Sequence, residues 1–481
     1  MFATTFLGHQ GWAFRSDAST VLVDPLLRED FGEIHALGYR VWPPRELDLG
    51  KLGPVDAIVL SHEHDDHFDI PSLAKLDRKI PIYLSARSST AAPAILQTMG
   101  FEVRPLVPGI AHAIGDLEVT PFTGDHVGTN CGDEWDTLPY LVRHTGGHGS
   151  FFTMVDIPIT ERHVQWAAAK AARPGLVTWT NNAIDWAHMA HYLAGREEGT
   201  QQTFIKMGMG HKMIEQHWGT PAAMMMCAGG FSFVGDREWL NRRVFCVDNE
   251  AVCAAMTKVY RKEKFVTATP GQTFNLVANK LKSIDATAPF VGTAPRDSWP
   301  TRGWSATGDV PDYAPATGRR EFTDGELAKL TGDLEGVAAA WFGGKLFASL
   351  SSLLDSEVGD RKRAFALSLR RDPDEPIVFE YAPTACGFVR SSEPADRYLG
   401  GLECWASDFA SVAAGELGPI ALSFGRARVW NALADRFQFD PFAELYRVSH
   451  PLRRPAATLR NYERIWQSVA STQPVVPARA G

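Results

Sequence analysis

The sequence predicts an α/β fold followed by a smaller α+β unit, and three observations carry that expectation. The first is Ser61-His62-Glu63-His64-Asp65-Asp66-His67, which follows at once on the apolar run Val55-Asp56-Ala57-Ile58-Val59-Leu60. A polar cluster that begins where a buried strand stops is a common way to mount metal ligands on a rigid support. The second is the recurrence of short apolar runs between helical segments through the first half of the chain. The third is the proline-rich stretch 284–318, beyond which the pattern starts afresh without any clustered ligands.

The cluster has a direct chemical reading. His62 and His64 are two positions apart, so in an extended segment they face the same way. Asp66 and His67 follow where a loop can turn them toward the first pair. Imidazole and carboxylate donors at this density suit a divalent transition metal.

Taken in order, residues 2–7 and 19–23 read as the first two strands, with Gly8-His9-Gln10-Gly11 as turn chemistry between elements. Asp24 either caps a turn or lies near the cluster, and His9 carries the same ambiguity. Residues 70–77 predict a short helix behind Asp69, Ile80–Leu84 a strand, Ser89–Met99 a helix closed by Gly100, and Phe101–Val103 a strand. The alternating run 117–122 delivers Gly124-Asp125-His126, and His126 becomes a third histidine ligand. Residues 138–142 and 149–155 predict a hairpin whose second strand ends on Asp156, a bridging carboxylate. An insertion over 158–222 holds an alanine-rich helix from Glu161 to Arg173 and many Trp, Phe and Met side chains. It suits a satellite core or a lid over an apolar pocket. Residues 224–231 read as a strand and Asn249–Tyr260 as a helix.

Composition narrows the rest. A chain of 481 residues exceeds one ordinary core. We divide it into a metal domain over 1–283, a linker over 284–318 and an α+β domain over 319–481. The net charge of −8 argues against a nucleic-acid partner. No run is long enough to span a bilayer, and the start has no basic, apolar leader pattern. The six cysteines are scattered and form no Cys-x-x-Cys, so iron–sulfur and zinc-finger patterns are not expected and a cytoplasmic location is the simplest. In the second unit, 324–354 predicts a helix, 364–369 and 377–381 a hairpin, 396–415 a further helix, and 473–481 disorder.

Gly8-His9-Gln10-Gly11, Val21-Leu22-Val23-Asp24-Pro25, Ser61 to His67, and then a His and an Asp each after a strand together resemble the metallo-β-lactamase superfamily. The resemblance implies a four-layer αββα sandwich with two metals at one edge. It implies that His62, His64 and His126 hold the first metal, Asp66 and His67 the second, and that Asp156 bridges. It also implies a late histidine near Thr267–Pro270, where none occurs. His211 is the leading substitute from the insertion, ahead of His188, His191 and His217, with Cys131, Asp133 and Glu134 as further nearby candidates. The missing histidine, the apolar insertion and the long second unit make the layout similar to diiron monooxygenases of this fold in natural-product biosynthesis, of the platensimycin-pathway type. That similarity implies two Fe, O2, an external reductase, and an apolar substrate, terpenoid-like or linked to coenzyme A or a carrier. The rival expectation is a two-Zn metallohydrolase of an ester, lactone or phosphate through a bridging hydroxide. The second unit faintly resembles a sterol-carrier module, or the tail beyond the metal domain in sialic-acid hydroxylases of this superfamily.

Overall fold

The computed structural model describes residues 1–36, 38–124, 135–171, 174–181, 198–245, 247–261, 264–302, 311–353, 358–371, 376–385, 387–433 and 441–479. Two sheets face each other. The first orders its strands Lys280–Asp285, Thr273–Val277, Phe2–Gly8, Gly11–Arg15, Thr20–Val23, Ala57–Leu60, Ile82–Ser85, Val103–Leu106. The second runs His112–Ile114, Leu117–Pro121, Tyr140–His144, Ser150–Thr153, Leu176–Asn181, Ala223–Ala228, Phe265–Thr267.

The period of two along each strand sorts side chains into three apolar layers. Ala57 and Val59 point inward between the sheets, with Trp12, Phe14, Phe151, Met225 and Cys227. Ile58 and Leu60 point outward, under the helices Ile70–Leu73, Ala91–Thr98 and Pro455–Val469. On the far side Met224 and Met226 meet the helices Glu161–Lys170, Glu198–His217 and Asn249–Val259. Both faces of these strands are covered, which is why they read as continuous apolar runs. The result is the four-layer αββα sandwich.

The second unit is a five-stranded sheet in the order Gly387–Ser391, Ile377–Ala382, Lys362–Arg370, Tyr398–Trp405, Ala427–Asn431. Helices Asp324–Trp341, Lys345–Ser352, Ala406–Ala414 and Pro441–Ser449 pack against one face of it. Two expectations change here. The single helix over 324–354 is two helices, parted at the poor helix formers Gly343-Gly344. The helix expected over 396–415 begins as a strand, Tyr398–Trp405, and turns helical only at Ala406. Gly401 decides it, since the Trp430 ring lies where a Cβ on Gly401 would stand.

The two units are not joined by a free linker. Val291–Thr293 pairs antiparallel with Arg45–Leu47, and Phe290 enters the outer core of the first unit. The core of the second unit continues through Phe424 onto Tyr39, Phe231 and Phe233 of the first. The tail, expected to be disordered, makes parallel bridges Leu76↔Val476 and Val55↔Ala478, and Arg479 pairs with Asp56 at 2.8 Å. No helix among the described residues is long and apolar enough to cross a membrane.

Phe151 centres the sandwich, with ring centroids 4.9 Å from Trp12 and 4.8 Å from Phe14. Phe151→Ala is expected to lower unfolding free energy by about 3–5 kcal/mol, read from urea denaturation.

Candidate metal centre

Strand ends gather the polar groups. Thr20–Val23, Ala57–Leu60 and Ser150–Thr153 end near one another, and Asp24, His62–His67 and Asp156 follow them respectively. The backbone is bent sharply at these ends. His9, Asp24, Val155 and Ala228 adopt φ of 55°, 44°, 56° and 58°, a region that non-glycine residues rarely enter. Such strain persists where surrounding contacts over-determine it, typically at functional sites. Gly8, at φ 102°, makes the turn possible, and a Cβ there would collide with the buried Arg45 guanidinium.

Two groups of ligand atoms result. In the first, His62, His64 and Asp156 offer atoms all within 4.8 Å of one another, and His62 Nε2 stands 2.9 Å from His64 Nδ1. In the second, His9, Asp66 and His67 do the same, with His9 Nε2 2.5 Å from Asp66 Oδ2. Asp156 Oδ2 lies between the groups, 3.4 Å from His62 Nε2 and 3.0 Å from His67 Nε2. Its other oxygen, Oδ1, accepts from Gln10 Nε2 at 3.0 Å, which leaves Oδ2 for the shared position.

Outer contacts set the histidine tautomers. Asp24 accepts from the Ser61 backbone N–H at 2.8 Å, from Ser61 Oγ at 2.7 Å and from His67 Nδ1 at 2.8 Å. Ser61 Oγ, having given its proton to Asp24, accepts from His62 Nδ1 at 2.9 Å. Both Nδ1 atoms therefore carry protons, and both Nε2 atoms face inward. His67 Nε2 and His9 Nδ1 are buried with no aligned hydrogen bond. Orphaned imidazole nitrogens among carboxylates are the donor set a pair of cations requires, so the residues fit the group.

The electrostatics agree. Burial would pull His67 down, but Asp66, Asp156 and Asp24 outweigh it and hold its pKa well above the imidazole range. Burial would raise Asp66 and Asp156, yet the neighbouring histidines keep both below the usual carboxylate range. Burial, then the His67 charge, lower His62. A proton on His67 thus stands in for a cation.

Of the residues expected from sequence, the structure brings His62, His64, Asp66, His67 and Asp156 together. His126 lies outside the described residues, as do Cys131, Asp133, Glu134, His188 and His191. His211 is corrected: it is buried beside Met224 Sδ at 3.2 Å and against the Tyr260 ring at 4.4 Å, in the satellite core under the insertion helices and in neither ligand group. His217 pairs with Glu161 at 2.7 Å. The residue that reaches the second group is His9, whose turn-like sequence setting hid it. Thr267 and Thr269, where a late histidine was expected, line a separate cleft with Trp42, Asn249, Trp299 and Arg302.

A model described as beta-lactamase superfamily domain matches residues 19–218, which include the cluster and Asp156. Residues 19–218 form a beta-lactamase superfamily domain. This superfamily comprises metal-dependent enzymes. Uncharacterized proteins of Mycobacterium tuberculosis and Mycobacterium bovis are 32% identical over 74 residues, 15% of this chain and 20% of theirs. The match therefore spans a fifth of those relatives' length. Among solved structures, an isothiocyanate hydrolase from Delia radicum gut bacteria is 17% identical, with TM-score 0.41, over 58% of this chain and all of its own. CmlA, a diiron beta-hydroxylase from Streptomyces venezuelae, is 18% identical, with TM-score 0.37, over 57% of this chain and 54% of its own. These neighbours do not decide between oxidation and hydrolysis.

Two outcomes are expected. His9→Ala should leave one of two cobalt ions bound after gel filtration, measured by elemental analysis. The pH dependence follows from His67, whose folded pKa is raised above 6.5. Its protonated pairing is fully present below that value and is lost as pH rises through the raised pKa. Cobalt affinity should therefore climb about tenfold per pH unit, with release of a proton, as pH rises toward that point and level off above it, as titrations in weakly buffered solution would record.

Proposed function

We propose that the chain is an O2-dependent dinuclear iron monooxygenase that hydroxylates an apolar biosynthetic substrate. The observation that carries this reading is the setting of His64 in the first ligand group. His64 lines a small cleft with Ile34, Trp135, Leu417, Tyr446 and Tyr462, and with the polar Glu63, Glu416, Ser449, Thr458 and Asn461, from both units. Its aliphatic and aromatic members would meet an apolar group beside His64. His62, His64 and Asp156 would hold one metal, and His9, Asp66 and His67 the other. Bound iron supplies dioxygen activation, for which R–H, O2, two electrons and two protons give R–OH and water, with the electrons drawn from an external reductase. The chain's own work is to fix both Nε2 lone pairs through Asp24 and Ser61 and to orient the substrate against the aromatic wall. The substrate class is terpenoid-like, free or carried on coenzyme A or a carrier.

A zinc metallohydrolase of an ester, lactone or phosphate is the second reading. His9 favours it, because it restores a histidine to the second group and so narrows any open coordination position.

Protein from iron-supplemented cells should contain two irons per chain, show a ferric near-ultraviolet band and consume O2 with a chemical reductant. Tightly bound zinc, no O2 uptake and turnover of p-nitrophenyl acetate would transfer the proposal to the hydrolase.

A further inference from the structure

Between His62 and His64 stands a side chain that faces away from the metals. Glu63 is 3% exposed and turns into the outer layer of the sandwich. Its Oε1 accepts from the Ser89 backbone N–H, and its Oε2 accepts from Ser89 Oγ at 2.9 Å and from Tyr462 Oη at 3.0 Å. The Glu63 backbone N–H donates to Asp136 Oδ2 at 3.1 Å. Ser88 Oγ donates to the same oxygen at 2.7 Å, and Ser85 Oγ donates to the Asp136 carbonyl at 2.8 Å. Three parts of the chain therefore meet at the ligand turn. They are the loop leading into the helix Ala91–Thr98, the segment at Asp136, and the late helix Pro455–Val469.

Tyr462 comes 399 positions after Glu63. It is 2% exposed, and its ring packs 5.3 Å from Phe68, the residue after His67. The adjacent Asn461 Nδ2 donates to the Ile34 carbonyl at 2.5 Å, so the helix is pinned at that point. A buried carboxylate without its donors is costly, and Glu63 keeps its orientation only while these donors are in place.

We propose that Tyr462 is a positioning residue for the first metal. Its hydroxyl locks the Glu63 carboxylate, which sets the direction of the flanking His62 and His64 imidazoles. The second unit's trailing helix is thereby part of the metal centre of the first. The assignment rests on the two-metal reading above.

Outer partners of metal ligands typically contribute about 10–100-fold to metal affinity. Tyr462→Phe keeps the ring against Phe68 and deletes only the hydroxyl. In cobalt titrations followed by visible absorption, the variant should bind at the His62/His64 group about tenfold or more weakly, with the His9/Asp66/His67 step unmoved. The same comparison in the His9→Ala background isolates the affected step. Ile465→Val on the same helix serves as the packing control and should lower stability without moving either step. Tyr462→Phe that shifts melting temperature but neither cobalt step, or both steps equally, overturns the assignment while the two-metal reading stands. A wild-type chain that takes up no cobalt brings down both.

Discussion

One carboxylate underlies the rest of this structure. Asp24 ends the strand Thr20–Val23 in a left-handed conformation, and from there it collects a backbone amide, a serine hydroxyl and an imidazole. Remove it and nothing fixes which nitrogen of His67 carries the proton, nor which of His62 through Ser61. The inward charge pattern, with lowered carboxylates facing a raised imidazole, is then undefined. Burial amplifies the effect, since each of these groups is stronger as a partner and costlier as an orphan in a low-dielectric interior.

The sandwich exists to hold such strand ends in register. Parallel pairing of Thr20–Val23 with Ala57–Leu60 brings Asp24 beside Ser61. The Tyr140–His144 and Ser150–Thr153 hairpin carries Asp156 to the same edge from the opposite sheet. Gln10, reached by the Gly8–Gly11 turn, then selects which Asp156 oxygen points inward. Three local devices from separate parts of the sequence thus converge on one oxygen atom.

Much of this was legible in the sequence because the ligands are local. His62, His64, Asp66 and His67 lie in six consecutive positions, and Asp156 follows an apolar strand. The four layers came from the family resemblance that these ligands carry, while the buried strands were legible as unbroken apolar runs. His9 and Asp24 were ambiguous, since a turn and a ligand shell use the same residue types. The Glu63–Tyr462 contact left no mark, because neither residue signals its partner across such a separation. The 396–415 misreading has the opposite cause: Leu399, Leu402 and Phe409 satisfy a helical spacing, and only the ring lying over Gly401 tells otherwise. The run 284–302 looked like linker because its prolines mask a short pairing strand.

The tail bridges to residues 55 and 76, together with the helix before them, complete the outer layer of the first sandwich from the last part of the chain. During synthesis the first unit emerges with its helical cover incomplete, and it stays so until the intervening α+β unit has been translated. The layer that backs Glu63 and Phe68 is therefore completed by the last segment made.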